Sequence, residues 1–170
     1  KGIEGEISFT DGLRKRLDLI RPNRNHLEQL ISELRSKIST SIERNRSFFR
    51  DHIDQLFVVS AGFKEFIVPI VADYGIPADR VYANTFVFDD HGTIVGFDDE
   101  NLLSRPEGKR EQILAMNLDG EVHVIGDGYS DYMMTDGLDN MKFYAFTENI
   151  ERTSATAKAD HVAPSFDEFL

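Results

Sequence analysis

Cysteine is absent from all 170 residues. That absence excludes disulfides, thiolate catalysis and cysteine zinc sites together, and it fits an intracellular, cytoplasmic setting. Long apolar runs are also lacking. Nothing approaches the roughly 20 residues that span a bilayer, and no signal-peptide pattern opens the chain, so no membrane partner is expected. Positive charge is scarce: 19 Lys and Arg against 30 Asp and Glu leave a formal net charge of −11. Nucleic-acid binders display basic patches, so this balance argues against a phosphate-backbone partner. A small phosphorylated ligand would have to be received by a few local cations and a metal, against an unfavourable overall field. No G-x-x-x-x-G-K-[ST] loop, G-x-G-x-x-G turn or Ser-His-Asp order occurs, and His26, His52, His91, His123 and His161 are scattered without ligand spacing. What remains, at 41% hydrophobic and 29% charged residues, is the composition of a soluble globular domain, or of a core with a small appendage.

Residues 1–52 read as helical. Leu13, Leu17 and Ile20, then Leu27, Leu30, Ile31, Leu34 and Ile38, recur at three- and four-residue spacings among charged residues. Pro22-Asn23 breaks the first helix from the second, and Ser39-Thr40-Ser41 offers N-caps for a third. From Leu56 the texture changes. The apolar run Leu56–Val59 is expected to end as a strand at Ser60, with a helix from Ala61 through Ala72. Val81–Phe88 and Thr93–Phe97 flank an Asp-Asp-His-Gly turn, a hairpin signal. Pro106–Met116 reads as a helix, Glu121–Ile125 as a strand, Tyr132–Thr135 as the start of a helix, and Phe143–Phe146 and His161–Ala163 as late strands. Strands alternating with helices imply an α/β fold with a doubly wound, mainly parallel sheet behind a helical lead-in. The expected division is a helical unit over 1–45 and an α/β core over 46–170.

The run Val122-His123-Val124-Ile125-Gly126-Asp127-Gly128-Tyr129-Ser130-Asp131 carries the most chemistry. A strand ends in two glycines, with two carboxylates four residues apart where a helix should begin. Open α/β sheets bind ligands at the carboxyl ends of their strands. Two acids there are costly to hold together unless a hard cation or a basic side chain shares the site, which makes Mg²⁺ the economical reading. Ser60, at its strand end, offers either a phosphate-binding hydroxyl or an ordinary helix N-cap. Lys109 falls in the first turn of a helix, where the macrodipole already favours anions, so an anion nearby is implied unless the lysine is simply solvated.

Taken in order, Ser60, Lys109, Asp127 and Asp131 resemble motifs two, three and four of the haloacid dehalogenase superfamily of phosphohydrolases. The resemblance is closer to its phosphoserine phosphatase group. Val58-Val59-Ser60-Ala61-Gly62-Phe63 looks like that group's S-G-G-F segment, Ala83-Asn84-Thr85-Phe86 with its hairpin looks like the group's next segment, and Gly5–Phe9 with Leu13–Leu17 is similar to its helical cap. Ala61 stands where the family usually has glycine, and Tyr129-Ser130 replaces the usual Ala-Asn. Motif one, an apolar strand followed by D-x-D-x-T, does not occur in these 170 residues. Asp89-Asp90 and Asp98-Asp99 lack its context and read as turn and solvated-edge acids.

The resemblance implies a doubly wound core with a helical cap and a β-hairpin insertion, and a phosphomonoesterase working through a phosphoaspartyl intermediate. In that frame Ser60, with the backbone of Ala61 and Gly62, receives the phosphoryl group, and Lys109 neutralises charge on it. Asp127 ligates Mg²⁺, while Asp131 either orients metal-bound water or holds Lys109. Ser130 would contribute a substrate hydrogen bond. Arg16 would grip a substrate carboxylate and Phe9 would act as a lid, although an exposed basic face at Arg14–Arg16 and a core role for Phe9 are the plain alternatives. The implied substrate is L-phosphoserine. A different small phosphate ester, or a non-catalytic module that binds metal or a partner, are the competing readings. The first residue, Lys1, sits mid-way through a helical pattern, so a segment bearing motif one is expected before it, and association with or fusion to further domains is expected beyond the core.

Overall fold

A computed structural model describes residues 9–170, Phe9 by its backbone alone. The sequence segment Gly5–Ser8 and the Phe9 lid therefore lie outside the described residues. In chain order the elements are α1 (Phe9–Ile20), α2 (Arg24–Arg35), α3 (Thr40–Arg44), α4 (Arg46–Asp51), β1 (Val58–Phe63), α5 (Lys64–Val71), β2 (Val81–Asn84), β3 (Phe86–Phe88), β4 (Ile94–Phe97), α6 (Gly108–Ala115), β5 (Val122–Gly126), α7 (Tyr129–Tyr132), β6 (Met141–Phe146), α8 (Thr153–Thr156) and β7 (His161–Ala163).

The helical lead-in follows its apolar spacing. Asn23 caps α2 reciprocally: its side chain accepts from the His26 N–H, and the His26 ring accepts from the Asn23 N–H. Such a cap is worth about 1 kcal/mol and fixes the break that Pro22-Asn23 announces. Ser39 stands at the cap position of α3 but makes no capping bond. Its neighbour Ser41 is instead fully buried; its N–H and hydroxyl both donate to Glu148, and its oxygen accepts from the Phe166 N–H. Leu17 and Leu27 pack with Phe63, Ile94 and Phe97, which seats α1 and α2 over the hairpin and the end of β1.

Strands β5, β6 and β7 form one parallel sheet in that order, β1 and β2 a second parallel pair, and β3 and β4 an antiparallel hairpin. The doubly wound α/β reading holds, but the expected single sheet is two parallel sheets among the described residues. Their edge strands β1 and β5 both line one groove of about 850 Å³. Val59 of β1 nonetheless packs on the core of the larger sheet, formed by Val124, Met134, Phe143 and Ala145. Full burial of Phe143 contributes about 1.5–3 kcal/mol.

Three local expectations need correction. β1 runs on to Phe63 and α5 begins at Lys64, so Ser60 lies inside a strand and caps no helix. The apolar run Val81–Phe88 is two strands that turn at Thr85: Asn84 pairs with Phe63, whereas Phe86 pairs with Phe97. The helix after β5 starts at Tyr129 and ends at Tyr132, earlier than its apolar residues suggest, because Asp131 supplies its cap. In the hairpin turn, Asp89 accepts from the N–H groups of His91 and Thr93, as a turn acid should. Asp99 is not merely solvated, since it pairs with Arg14 of α1.

Candidate active site

β1 pairs in register with β2 at Val59–Tyr82 and again at Phe63–Asn84. Four residue steps on β1 thus face two on β2, and the excess is taken up by Ser60-Ala61-Gly62, which bulge out of the ladder. Bulges of this kind re-aim side chains at the ends of strands. The bulge closes on itself: the Gly62 N–H donates to the Ser60 hydroxyl at 3.0 Å. A Cβ at Gly62 would lie 3.0 Å from Ile67 and 3.2 Å from Phe66, so glycine suits this turn, whereas Ala61 carries its methyl without difficulty.

Asn84 holds the bulge in place. It is fully buried, and its amide donates to the Ala61 carbonyl at 2.9 Å and to the Leu103 carbonyl at 3.1 Å. Leu103 belongs to the turn that feeds α6. That turn is itself tight, because a Cβ on Gly108 would sit 2.0 Å from the Leu102 carbonyl oxygen. One amide therefore ties the segment bearing Ser60 to the start of the helix bearing Lys109. Sequence reasoning missed this role; the available signal was a lone asparagine closing the apolar run Val81-Tyr82-Ala83.

Lys109, in the first turn of α6, has its anion. Its ammonium donates to Oδ1 of Asp131 at 2.6 Å, with both side chains largely shielded. The other oxygen of Asp131 accepts from the Gly128 N–H at 2.9 Å. Each oxygen of Asp131 thus has a partner within the protein, and one of the two is the Lys109 ammonium. The strand end is shaped for this carboxylate: a Cβ on Gly126 would lie 2.3 Å from its Cγ. Arg110, the next residue of α6, donates to the carbonyls of Met133 and Asp136, so α6 grips both α7 and the segment that follows it.

Asp127 lines the groove beside Asp131. Its half-exposed carboxylate pairs with Arg152, which also donates to the Asp127 carbonyl at 3.2 Å. As a hard oxygen donor at a strand's carboxyl end, Asp127 suits Mg²⁺ as one ligand. Among the described residues no three His, Asp or Glu side chains cluster as a metal site; the fit of Asp127 is that of one carboxylate, with water and substrate oxygens needed to complete the shell.

Lys109, Asp127 and Asp131 therefore meet at the end of β5, and Ser60 is tethered to the Lys109 helix through Asn84. The described contacts do not join Ser60 to the aspartates directly. Ser130 is exposed on α7 and Arg16 is exposed on α1; it is Arg14 that bridges α1 to the hairpin side through Asp99. Arg152 was not anticipated, and no pattern around it announces its partner.

A family model described as haloacid dehalogenase-like hydrolase matches residues 23–136. A phosphoserine phosphatase of Drosophila melanogaster is 30% identical over 174 residues, covering 100% of this chain and 64% of that relative. A chloroplastic phosphoserine phosphatase of Arabidopsis thaliana is 29% identical, over 77% of this chain and 45% of its own length. This chain thus spans less than two thirds of either relative. A phosphoserine phosphohydrolase-like protein from Francisella tularensis superposes with a TM-score of 0.78 at 26% identity, covering 99% of this chain and 78% of the other.

Proposed function

The chain belongs to the haloacid dehalogenase-like hydrolase family, and from that premise we propose that it serves as the greater part of a Mg²⁺-dependent phosphomonoesterase acting on L-phosphoserine in the cytoplasm. The observation that carries the proposal is the Lys109 ammonium clasped by Asp131 at the end of β5, beside Asp127. Such a preplaced cation stabilises the charge of a transferring phosphoryl group without reorganising at the moment of reaction. The relatives named above supply the substrate reading.

In this account the Ser60 hydroxyl and the N–H groups of the Ser60–Gly62 bulge receive phosphoryl oxygens, and Asn84 keeps that bulge facing the Lys109 helix. Lys109 neutralises the phosphoryl group and the attacking carboxylate. Asp131 fixes the lysine's position. Asp127 would hold Mg²⁺, which supplies further charge neutralisation when bound. Arg16, within a helical cap taken over 1–45, would receive the substrate's carboxylate, which a guanidinium grips in bidentate fashion, and Phe9 would act as a lid. Ser130 adds a hydrogen bond. Neither Asp127 nor Asp131, each paired with a cation of the protein, serves in this account as the aspartate nucleophile of a phosphoaspartyl route. Among the described residues β1 and β5 each pair with a strand on one side only and both line the groove, so we assign that residue to an extended apolar segment that would pair with the two of them.

The test is phosphate release from L-phosphoserine, a carboxylate-free phosphate ester and p-nitrophenyl phosphate, with Mg²⁺ and a synthetic apolar strand peptide ending in D-x-D-x-T. Turnover with preference for phosphoserine is expected. Release from all esters alike would replace phosphoserine by a broader substrate class, and no release from any would leave the second reading, a non-catalytic module. One observation favours that module: Asp127, read as the metal ligand, already pairs with a cation of the protein itself, Arg152.

A further inference from the structure

Arg152 stands just before α8, and its carbonyl accepts from the N–H groups of Ala155 and Thr156, which anchors its backbone. From that fixed point its guanidinium reaches across to the end of β5 and takes Asp127 by two acceptors, the carboxylate and the main-chain carbonyl. No other basic side chain among the described residues forms an ion pair with Asp127. Lys109, the other cation of this end, is committed to Asp131.

The geometry points to Arg152 as a resident counter-cation that competes with a divalent ion for the Asp127 carboxylate, and so sets how tightly the protein binds Mg²⁺. This rests on the reading of Asp127 as a metal ligand. A guanidinium and a dication cannot share a carboxylate closely without mutual repulsion. Cation entry therefore requires the Arg152 side chain to swing off Asp127. Both side chains are close to half exposed, so the pair is weak enough to be displaced and is screened by salt. The consequence is a site whose carboxylate stays oriented and neutralised when no cation is bound, and whose affinity is tempered by an internal rival.

The experiment is calorimetric titration of Mg²⁺, with Mn²⁺ as a second probe followed by electron paramagnetic resonance, into the chain and its Arg152→Ala, Arg152→Lys and Asp127→Asn variants, without substrate. Arg152→Ala is expected to bind about two- to fivefold more tightly at low ionic strength, a factor set by the strength of an exposed ion pair. The gain should shrink at high salt. Arg152→Lys should fall between the two, since an ammonium keeps the charge but loses the fork. Asp127→Asn should abolish the saturable site. Unchanged or weaker binding in Arg152→Ala, a gain insensitive to salt, or no saturable binding in either protein would overturn the proposal. Because no turnover is measured, a failure of phosphoserine hydrolysis leaves this result standing on its own.

Discussion

The Nζ of Lys109 lies 2.6 Å from Oδ1 of Asp131 while the second oxygen of that carboxylate takes the Gly128 N–H. A single side chain thereby fixes the lysine of α6, caps the four-residue helix α7 and fills the space that Gly126 leaves open. Site and fold are coupled through it.

Asp131→Asn keeps the shape but cannot accept at both atoms, so either Lys109 or the Gly128 N–H loses its partner. Leaving one such shielded group unpaired costs about 1–3 kcal/mol. Urea unfolding should show a lowered midpoint with an unchanged slope. An unshifted midpoint would mean the clasp carries no stability.

Asn84→Ala removes the bridge between the Ala61 and Leu103 carbonyls and leaves both without their donor. The expected loss is about 1–3 kcal/mol for each carbonyl that water cannot reach. Asn84→Asp should be worse, since it places a carboxylate where two carbonyl oxygens converge. Thermal unfolding of the two variants checks the order, and equal melting temperatures would contradict it.

Gly126→Ala is expected to disturb the site more than Gly137→Ala disturbs its own surroundings, although Gly137 has a positive φ of 72°. A methyl at Gly126 would collide with the Asp131 side chain, whereas nothing stands within 4 Å of one at Gly137. The Asp131 carboxyl resonance, observed by NMR, should move in the first variant and stay put in the second.

Acid should loosen the C-terminal segment only at low pH. The Arg44 guanidinium, with Asn45 and Ser165 assisting, holds the Asp167 carboxyl well below the usual carboxylate range. A depressed folded value means the stabilisation is fully present above the unfolded aspartate value of about 3.9 and is lost as pH falls through the folded value. The protection of the Phe166 N–H, which donates to Ser41, against hydrogen exchange should therefore decline progressively below about pH 4. Asp167→Asn should remove that pH dependence.

Much of this was legible in the chain. Asn23 followed by a helical apolar pattern gave α2, Val122–Gly126 gave β5, and Asp89–Gly92 gave the hairpin turn, because each is decided within a few residues. Lys109 was legible for a physical reason: a cation in a helix's first turn needs an anion, and Asp131 is that anion. The parts that escaped depend on partners distant in sequence. Ser60 reads as the end of a strand, yet pairing of Phe63 with Asn84 draws β1 onward and makes Ser60 the start of a bulge. The polar end of Val81–Asn84 hid a tether whose second acceptor lies 19 positions on. Arg152 reaches 25 positions back to Asp127, and no local pattern encodes that.

The most direct measurement is phosphate release from L-phosphoserine by the strand-complemented protein, compared between the unaltered chain and Lys109→Ala at saturating Mg²⁺. Loss of a preorganised charge-stabilising group predicts a fall in kcat of at least about a hundredfold. Turnover by Lys109→Ala that stays within about threefold of the unaltered chain, about a quarter of the predicted fall on a logarithmic scale, would contradict the account.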